Sequence, residues 1–269
     1  MILDLFTETF MQHAFLAGML ITALCAYLGV FILYKRIVFV GVALAELSAL
    51  GVVLGVSFGL DHHLSSLLFT MGGIIYFGFF QKESRVSRES VIGLIYALAA
   101  ALTVLALSQN PGVEASGLDL VSGNLLFVST HDIMTLVAAA IVIAVLHYLL
   151  FKEFVFVSFD RETAATLGLN TRLYELLLYF SFGLAISVSM KIAGVVFVFS
   201  SLIIPAMIGL SLSSKNRWIF TIAVLSGLFS CFWGIFVSFQ GDLPTGPTVV
   251  AVLGILFLAA KMIKSVFRS

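Results

Sequence analysis

The sequence predicts an all-α, polytopic membrane protein with about eight or nine transmembrane helices, built as a single membrane domain over residues 1–269. Three observations predict it. Hydrophobic residues make up 61% of the chain and charged residues only 10%, whereas soluble domains carry about 25% charged residues, so there is too little charge to cover a water-facing surface. The apolar residues fall in runs long enough to cross about 30 Å of hydrocarbon. The basic residues lie almost entirely on one side of those runs. The 14 Lys and Arg balance the 14 Asp and Glu, leaving no basic excess to draw nucleic acid. Cys25 and Cys231 both sit inside apolar runs and read as small core hydrophobes rather than a disulfide or zinc framework.

The expected spans, in order, are 14–34, 39–60, 64–80, 91–107, 133–151, 173–190, 193–212, 218–239 and 248–263. The seventh is the weakest, because Pro205 interrupts it. With Lys35 and Arg36 placed in the cytoplasm and the spans alternating, Lys82, Arg85, Arg88, Lys152, Arg161, Arg172, Lys215, Arg217, Lys261, Lys264 and Arg268 all fall inside, and Lys191 alone falls outside. That bias is the positive-inside pattern. It gives a cell-membrane protein with the N-terminus outside and the C-terminus cytoplasmic. A re-entrant seventh segment would lower the count and change the later parity.

Residues 1–12 carry Asp4 and Glu8 without an early Lys or Arg, so the basic start of a cleavable signal peptide is missing. Asp4 and Glu8 share one helical face, which predicts a short helix at the outer interface. Asn110-Pro111-Gly112 and Ser122-Gly123-Asn124 mark turns in the longest outer loop, 108–132. The cytoplasmic loop 152–172 contains a helix of its own. Asp160 is a good N-cap, Ala164 and Ala165 favour helix, and Gly168 is a good stop.

Glu46 lies about seven residues into the second span, roughly 10 Å along it at 1.5 Å per residue. A carboxylate at that depth faces a cavity or a partner, which makes Glu46 the candidate residue of a translocation path. A hydrogen-bonded structural glutamate is the plain alternative. Gly51, Gly55 and Gly59 follow at spacings of four and read as a face for close helix packing. Asp61, His62 and His63 at an outer turn, with His131 and Asp132 at the outer mouth of the fifth span, offer imidazole and carboxylate ligands for a transition metal. Adjacent histidines on a turn are more often plain interfacial residues. Lys191 either snorkels to the interface or pairs with a carboxylate near the pore. There is no phosphate-binding Gly-x-x-x-x-Gly-Lys-Ser/Thr loop, no His-Glu-x-x-His pair, no Gly-x-Ser-x-Gly elbow and no pair of intramembrane carboxylates. The chain therefore reads as neither an ATPase nor an enzyme, and no cofactor is expected on it.

Four stretches together resemble the permease subunits of the zinc/manganese/iron ABC importers, the ABC-3 metal permeases. They are Lys35-Arg36 with Phe39, Gly41, Ala43 and Leu44; Phe159, Asp160, Glu162, Ala164 and Gly168; Lys191, Gly194 and Val195 with Ser200, Leu202, Ile204, Pro205 and Ala206; and the run from Asp242 to Thr248. The resemblance implies a fold like that of type II ABC importer permeases. It also implies a second permease copy, two cytoplasmic ATP-hydrolysing subunits gripping a coupling helix at Phe159, Asp160, Glu162, Ala164 and Gly168, an external solute-binding protein, and a metal ion or metal chelate as cargo.

The sequence departs from that family in the second span. There the family carries an aspartate and a histidine four residues apart as its metal site, and this chain has Val42 and Glu46. One acidic ligand is retained and imidazole is lost. On softness alone an oxygen ligand favours Mn²⁺ or Fe²⁺ over Zn²⁺. The competing reading is an ion-coupled secondary transporter that uses Glu46 as its carrier group.

Overall fold

A computed structural model describes residues 9–77, 87–109, 125 and 128–266. Among these, the chain forms α1 (Thr9–Tyr34), α2 (Val38–Ser57), α3 (His62–Ile75), α4 (Arg88–Ser108), α5 (Thr130–Phe159), α6 (Arg161–Thr166), α7 (Thr171–Leu212), α8 (Asn216–Gly241) and α9 (Thr245–Val266). The physical cause is common to all the long ones. Hydrocarbon offers no water to the backbone, so each apolar segment satisfies its N–H and C=O groups within itself. Seven of the described helices are long and apolar enough to cross a membrane. The chain is a multi-pass membrane protein.

Polar side chains fix where the helices begin. Asp61 accepts from the Leu64 N–H at 2.9 Å to cap α3, and Ser87 accepts from the Ser90 N–H at 3.1 Å to cap α4. Ser129 and Asp132 form a reciprocal capping box on α5. Asn170 caps α7. These are the orphan N–H groups of a first turn finding acceptors.

α7 decides the topology. Its 42 residues would make a rod of about 63 Å at 1.5 Å per residue. Yet Glu175 near its start and Leu210 near its end line the same groove as Lys35 and Asn216. The chain reverses at Gly194, whose φ of 76° and ψ of 168° break the helix. A left-handed φ of this kind suits glycine. α7 is thus two arms, rising over 171–193 and returning over 195–212, and both match expected spans. The reversal falls beside the boundary expected between those two spans, whereas the interruption expected at Pro205 is not observed, and helix continues through it. With the two arms of α7 counted separately and the 14-residue α3 included, the described helical segments other than the short α6 number nine.

Other boundaries also shift. α1 begins at Thr9, so residues 9–12, expected in the outer interfacial segment, belong to it; Met11 is buried. Residues 1–8, with Asp4 and Glu8, lie outside the described residues, as do the turns at 110–112 and 122–124. α2 ends at Ser57, so Gly59 is not on that helix. It turns the chain toward α3 with φ +67°, and a Cβ there would meet nothing. Gly51 and Gly55 do face α3. A Cβ on Gly51 would stand 2.7 Å from the Ser65 carbonyl oxygen, and one on Gly55 2.9 Å from the Ser65 side chain.

α1 and α2 form the buried centre, with Ala14, Ala17, Ile21, Cys25, Leu28, Phe31, Ala43 and Leu44 excluded from the surface. α1 packs mainly on α7 and α8, and α2 on α3, α4 and α7. Leu98, Leu105, Ile141, Val145, Leu225, Ile255 and Leu258 point outward, the apolar surface that lipid covers. The tightest approach is at Gly29, where a Cβ would collide with the Leu202 carbonyl of the returning α7 arm. Gly29→Val is expected to destabilise the fold by more than the about 1–3 kcal/mol typical of overpacking. Gly72→Val, at a helical glycine with open space around it, is expected to be neutral. Thermal melting of the two detergent-solubilised variants, followed by size-exclusion chromatography, checks the contrast.

Candidate functional site

At the Lys35 face, Asp160 ends α5 and starts α6. Its Oδ1 accepts from the Thr163 N–H at 3.0 Å and its Oδ2 from the Thr163 hydroxyl at 2.5 Å. These bonds hold the exposed Asp160 carboxyl below the usual carboxylate range. Gly168, with φ +84°, lets the chain leave α6. The helix is exposed except at Ala164, which is fully buried. Phe159 and Leu167 on either side of it are 57% and 68% exposed. Phe159 still stacks on Tyr34, with ring centroids 4.3 Å apart.

Glu175, in the first turns of α7, ties this knob to the bundle. Its Oε1 accepts from Lys35 Nζ at 2.8 Å, and its Oε2 lies 3.5 Å from Arg161 Nε. One carboxylate therefore joins the end of α1, the start of α6 and the start of α7. The groove beside it, about 780 Å³, is lined by Lys35, Arg36, Phe159, Arg161, Glu175 and Asn216 among others. Glu175 is absent from the sequence reading. The available signal was a single acid at the edge of a long apolar run.

Glu46 sits midway along α2, half-buried, and no described residue pairs with its carboxylate. Phe39, Val42 and Glu46 fall at spacings of three and four, so they share one face. None of the three is buried by this chain. On the inward side of α2, Ser48 Oγ meets Ser66 Oγ at 2.7 Å, and Ser66 Oγ meets Ser187 Oγ at 2.9 Å. This buried hydroxyl chain links α2, α3 and α7, with each polar group satisfied by another across an apolar interface. It too was missed by sequence reasoning, since serines in apolar runs carry no pairing signal.

At the opposite face, the five expected metal contacts separate by role. Asp61 is engaged as the α3 cap, and the Leu64 N–H holds its carboxyl below the usual range. It is not among the convergent ligands. His62 packs its ring at 4.6 Å on His63, and its Nε2 is buried without a hydrogen-bond partner. His63, His131 and Asp132 converge, with ligand atoms all within 4.8 Å of one another. Lys191 joins them, donating to Asp132 Oδ1 at 2.8 Å and lying 3.3 Å from His63 Nε2. Of the two readings of Lys191, pairing with a carboxylate is the one observed. His147, near the other end of α5, is buried, with Nδ1 3.2 Å from the Tyr27 hydroxyl, away from both clusters.

Residues 7–264 match the model of the ABC 3 transport family. The chain belongs to the ABC 3 transport family. Its relatives include the probable iron transport system membrane protein of Haemophilus influenzae, 25% identical over 260 residues that cover 97% of this chain and 92% of that one. Another is the manganese transport system membrane protein MntB of Synechocystis, 28% identical over 255 residues that cover 93% and 82%. In fold the chain is similar to a chain of PsaBC from Streptococcus pneumoniae in complex with Fab, with a TM-score of 0.87 at 20% identity over 97% of this chain and 95% of that one. The all-α architecture of this ABC 3 family chain is thus the fold seen in that structure.

The lowered Asp160 value fixes the sign of its pH dependence. A carboxylate whose folded pKa lies below its unfolded value contributes stability above the unfolded value, about 3.9 for Asp, and loses it as pH falls through the folded one. Asp160→Ala is expected to lower hydrogen-exchange protection of residues 161–168 at neutral pH, with the gap to the unmodified protein closing below about pH 4. Exchange measured by mass spectrometry across pH checks both parts.

Proposed function

We propose that this chain is the membrane-spanning permease of an ATP-driven importer that carries a divalent metal ion, such as manganese, iron or zinc, or a metal chelate. The observation that carries this reading is α6. It is a capped helical knob, exposed apart from Ala164, flanked by the exposed apolar Phe159 and Leu167, and bound through Arg161, Glu175 and Lys35 to two long helices. An exposed helix with uncovered apolar ends and a rigid root suits a partner that pushes on it. The partner is a cytoplasmic ATP-hydrolysing subunit, with Phe159, Asp160, Glu162, Ala164 and Gly168 as the docking segment. Membership of the ABC 3 family supports transport, and relatives named for manganese and iron transport support the class of cargo.

In this reading the Lys35 face is cytoplasmic. Lys35, Arg36, Lys152, Arg161, Arg172, Lys215 and Arg217 belong to that end, against Lys191 at the other, in keeping with the positive-inside rule. An external solute-binding protein delivers the ion to the Asp132 face. A second copy of the chain covers the face of Phe39, Val42 and Glu46, so that two Glu46 carboxylates border the path. ATP binding closes the nucleotide subunits, pushes on α6, and moves α1 and α7 through the Glu175 junction. This chain hydrolyses nothing itself.

Glu46→Gln removes the path charge while keeping size and one acceptor. Uptake by the reconstituted complex is expected to fall at least about tenfold, a transition-state loss near 1.4 kcal/mol, with assembly intact. Normal uptake would take Glu46 off the path. Ala164→Pro deletes the bond from the Ala164 N–H to the Asp160 carbonyl (3.1 Å) and costs about 3 kcal/mol of helix stability. It is expected to abolish ATP-coupled uptake or release the ATPase, as read by co-purification and metal-by-metal transport in proteoliposomes. Cargo movement by the purified chain under an ion gradient, without nucleotide, would replace this reading with a secondary transporter.

A further inference from the structure

We propose that His63, His131 and Asp132 form a divalent transition-metal site at the Asp132 face, and that the ammonium of Lys191 occupies it as a tethered cation until a metal displaces it. The site is separate from Glu46 on α2. Binding there does not depend on the importer reading, which supplies only a reason for an ion to arrive.

The chemistry of the contacts carries the inference. Lysine has three donors and no acceptor. A short contact between Lys191 Nζ and His63 Nε2, 3.3 Å, therefore requires Nε2 to accept. His63 is then neutral with its lone pair directed at the cation, the form in which imidazole ligates a metal. Asp132 Oδ1 lies 2.8 Å from the same ammonium and 3.5 Å from His63 Nε2. The other carboxylate oxygen, Oδ2, is held by the Ser129 hydroxyl at 2.6 Å and the Ser129 N–H at 3.2 Å. This is the outer support that orients a ligating carboxylate, and it leaves Oδ1 committed to the cation. His131, with its ring 5.9 Å from that of His63, is exposed.

Ligand nitrogens and oxygens sit about 2.0–2.2 Å from a bound divalent ion. Ligand pairs then stand at most about 4.4 Å apart, and a small rotation of His131 closes the observed 4.8 Å spread. The ammonium cannot share that position with a doubly charged ion, because the two cations repel at contact distance in a partly desolvated site. Metal binding is therefore an exchange: Asp132 Oδ1 and His63 Nε2 give up Lys191 and take the metal. Two imidazoles and one carboxylate suit Mn²⁺, Fe²⁺, Co²⁺ and Zn²⁺ and disfavour Mg²⁺ and Ca²⁺. The three ligands come from the first turns of α3 and α5, and Lys191 lies three residues before the Gly194 reversal of α7. Exchange thus gives up the ties of Lys191 on α7 to Asp132 on α5 and His63 on α3 and bridges α3 to α5 instead, beside the Gly194 reversal.

The test uses the full-length chain purified in detergent, without an ATPase, titrated with Mn²⁺ in excess Mg²⁺ and followed by the paramagnetic resonance signal of free Mn²⁺. His131→Ala, at an exposed position that leaves the fold undisturbed, and His63→Gln are each expected to weaken binding by about 10–100-fold. Lys191→Met is expected to tighten it by at least about fivefold, the low end of a coupling between competing cations. In the unmodified protein, Mn²⁺ is expected to raise acylation of Lys191 by an amine-reactive ester, read by peptide mass spectrometry; this arm needs no variant. Unchanged affinity in both histidine variants, or binding lost only in Glu46→Gln, overturns the site. Affinity unchanged in Lys191→Met together with unchanged Lys191 labelling overturns the tethered cation. A failure of transport with these binding results intact would instead count against the importer.

Discussion

Hydrocarbon cannot accept a hydrogen bond, and that constraint governs the whole chain. Every apolar segment has to close its backbone on itself, so the long segments are helices. A polar side chain at depth gains from meeting another polar group. The Ser48–Ser66–Ser187 chain across α2, α3 and α7 and the bond between Tyr27 and His147 are local instances of that gain. Helices that lack a hydrophobic drive to associate in lipid gain instead from close backbone approach at small residues. The contact of Gly29 with the Leu202 carbonyl and of Gly51 with Ser65 are the clearest cases.

Charge is rationed by the same constraint, and among the described residues two ion-pair centres sit at opposite ends of the bundle. At one end Glu175 divides its two oxygens between Lys35 and Arg161. At the other Asp132 divides its own between the α5 cap and the Lys191–His63 pair. Each centre joins helices that are distant in sequence, and α7 contributes to both, with Glu175 near its start and Lys191 next to its turn. Glu46 is the exception. It is a carboxylate at mid-helix with no described partner, on a face this chain does not bury. An unpaired acid at that depth is expensive, and Glu46 stands on the face of α2 that the described residues leave uncovered.

Much of the fold was legible along the chain. The apolar runs gave the spans because about 20 consecutive apolar residues have no comfortable alternative to helix in a bilayer. The short helix α6 was legible from Asp160, Ala164 and Gly168 because capping and helix exit are local hydrogen-bond and φ problems, solved within a few residues. The reversal in α7 falls at Gly194, beside the boundary expected between the spans 173–190 and 193–212. Pro205 looked like the interruption, but a proline in a helix costs only a bond and a clash that a membrane helix can absorb. Gly194 reverses the chain because its left-handed φ of 76° suits glycine. Gly59, aligned by spacing with Gly51 and Gly55, fell in a turn because α2 stops at Ser57.

By itself, then, the sequence determined the all-helical membrane architecture, the loop that carries its own helix, and the acid at mid-membrane, since each follows from local composition, periodicity or capping. Only tertiary structure decided that Lys191 meets Asp132 and His63, and that Glu175 roots α6 to α1 through Lys35. Those pairings join residues 59, 128 and 140 positions apart, and no local rule acts over such separations. They arise from how the helices pack, and that packing depends on α7 folding back at Gly194.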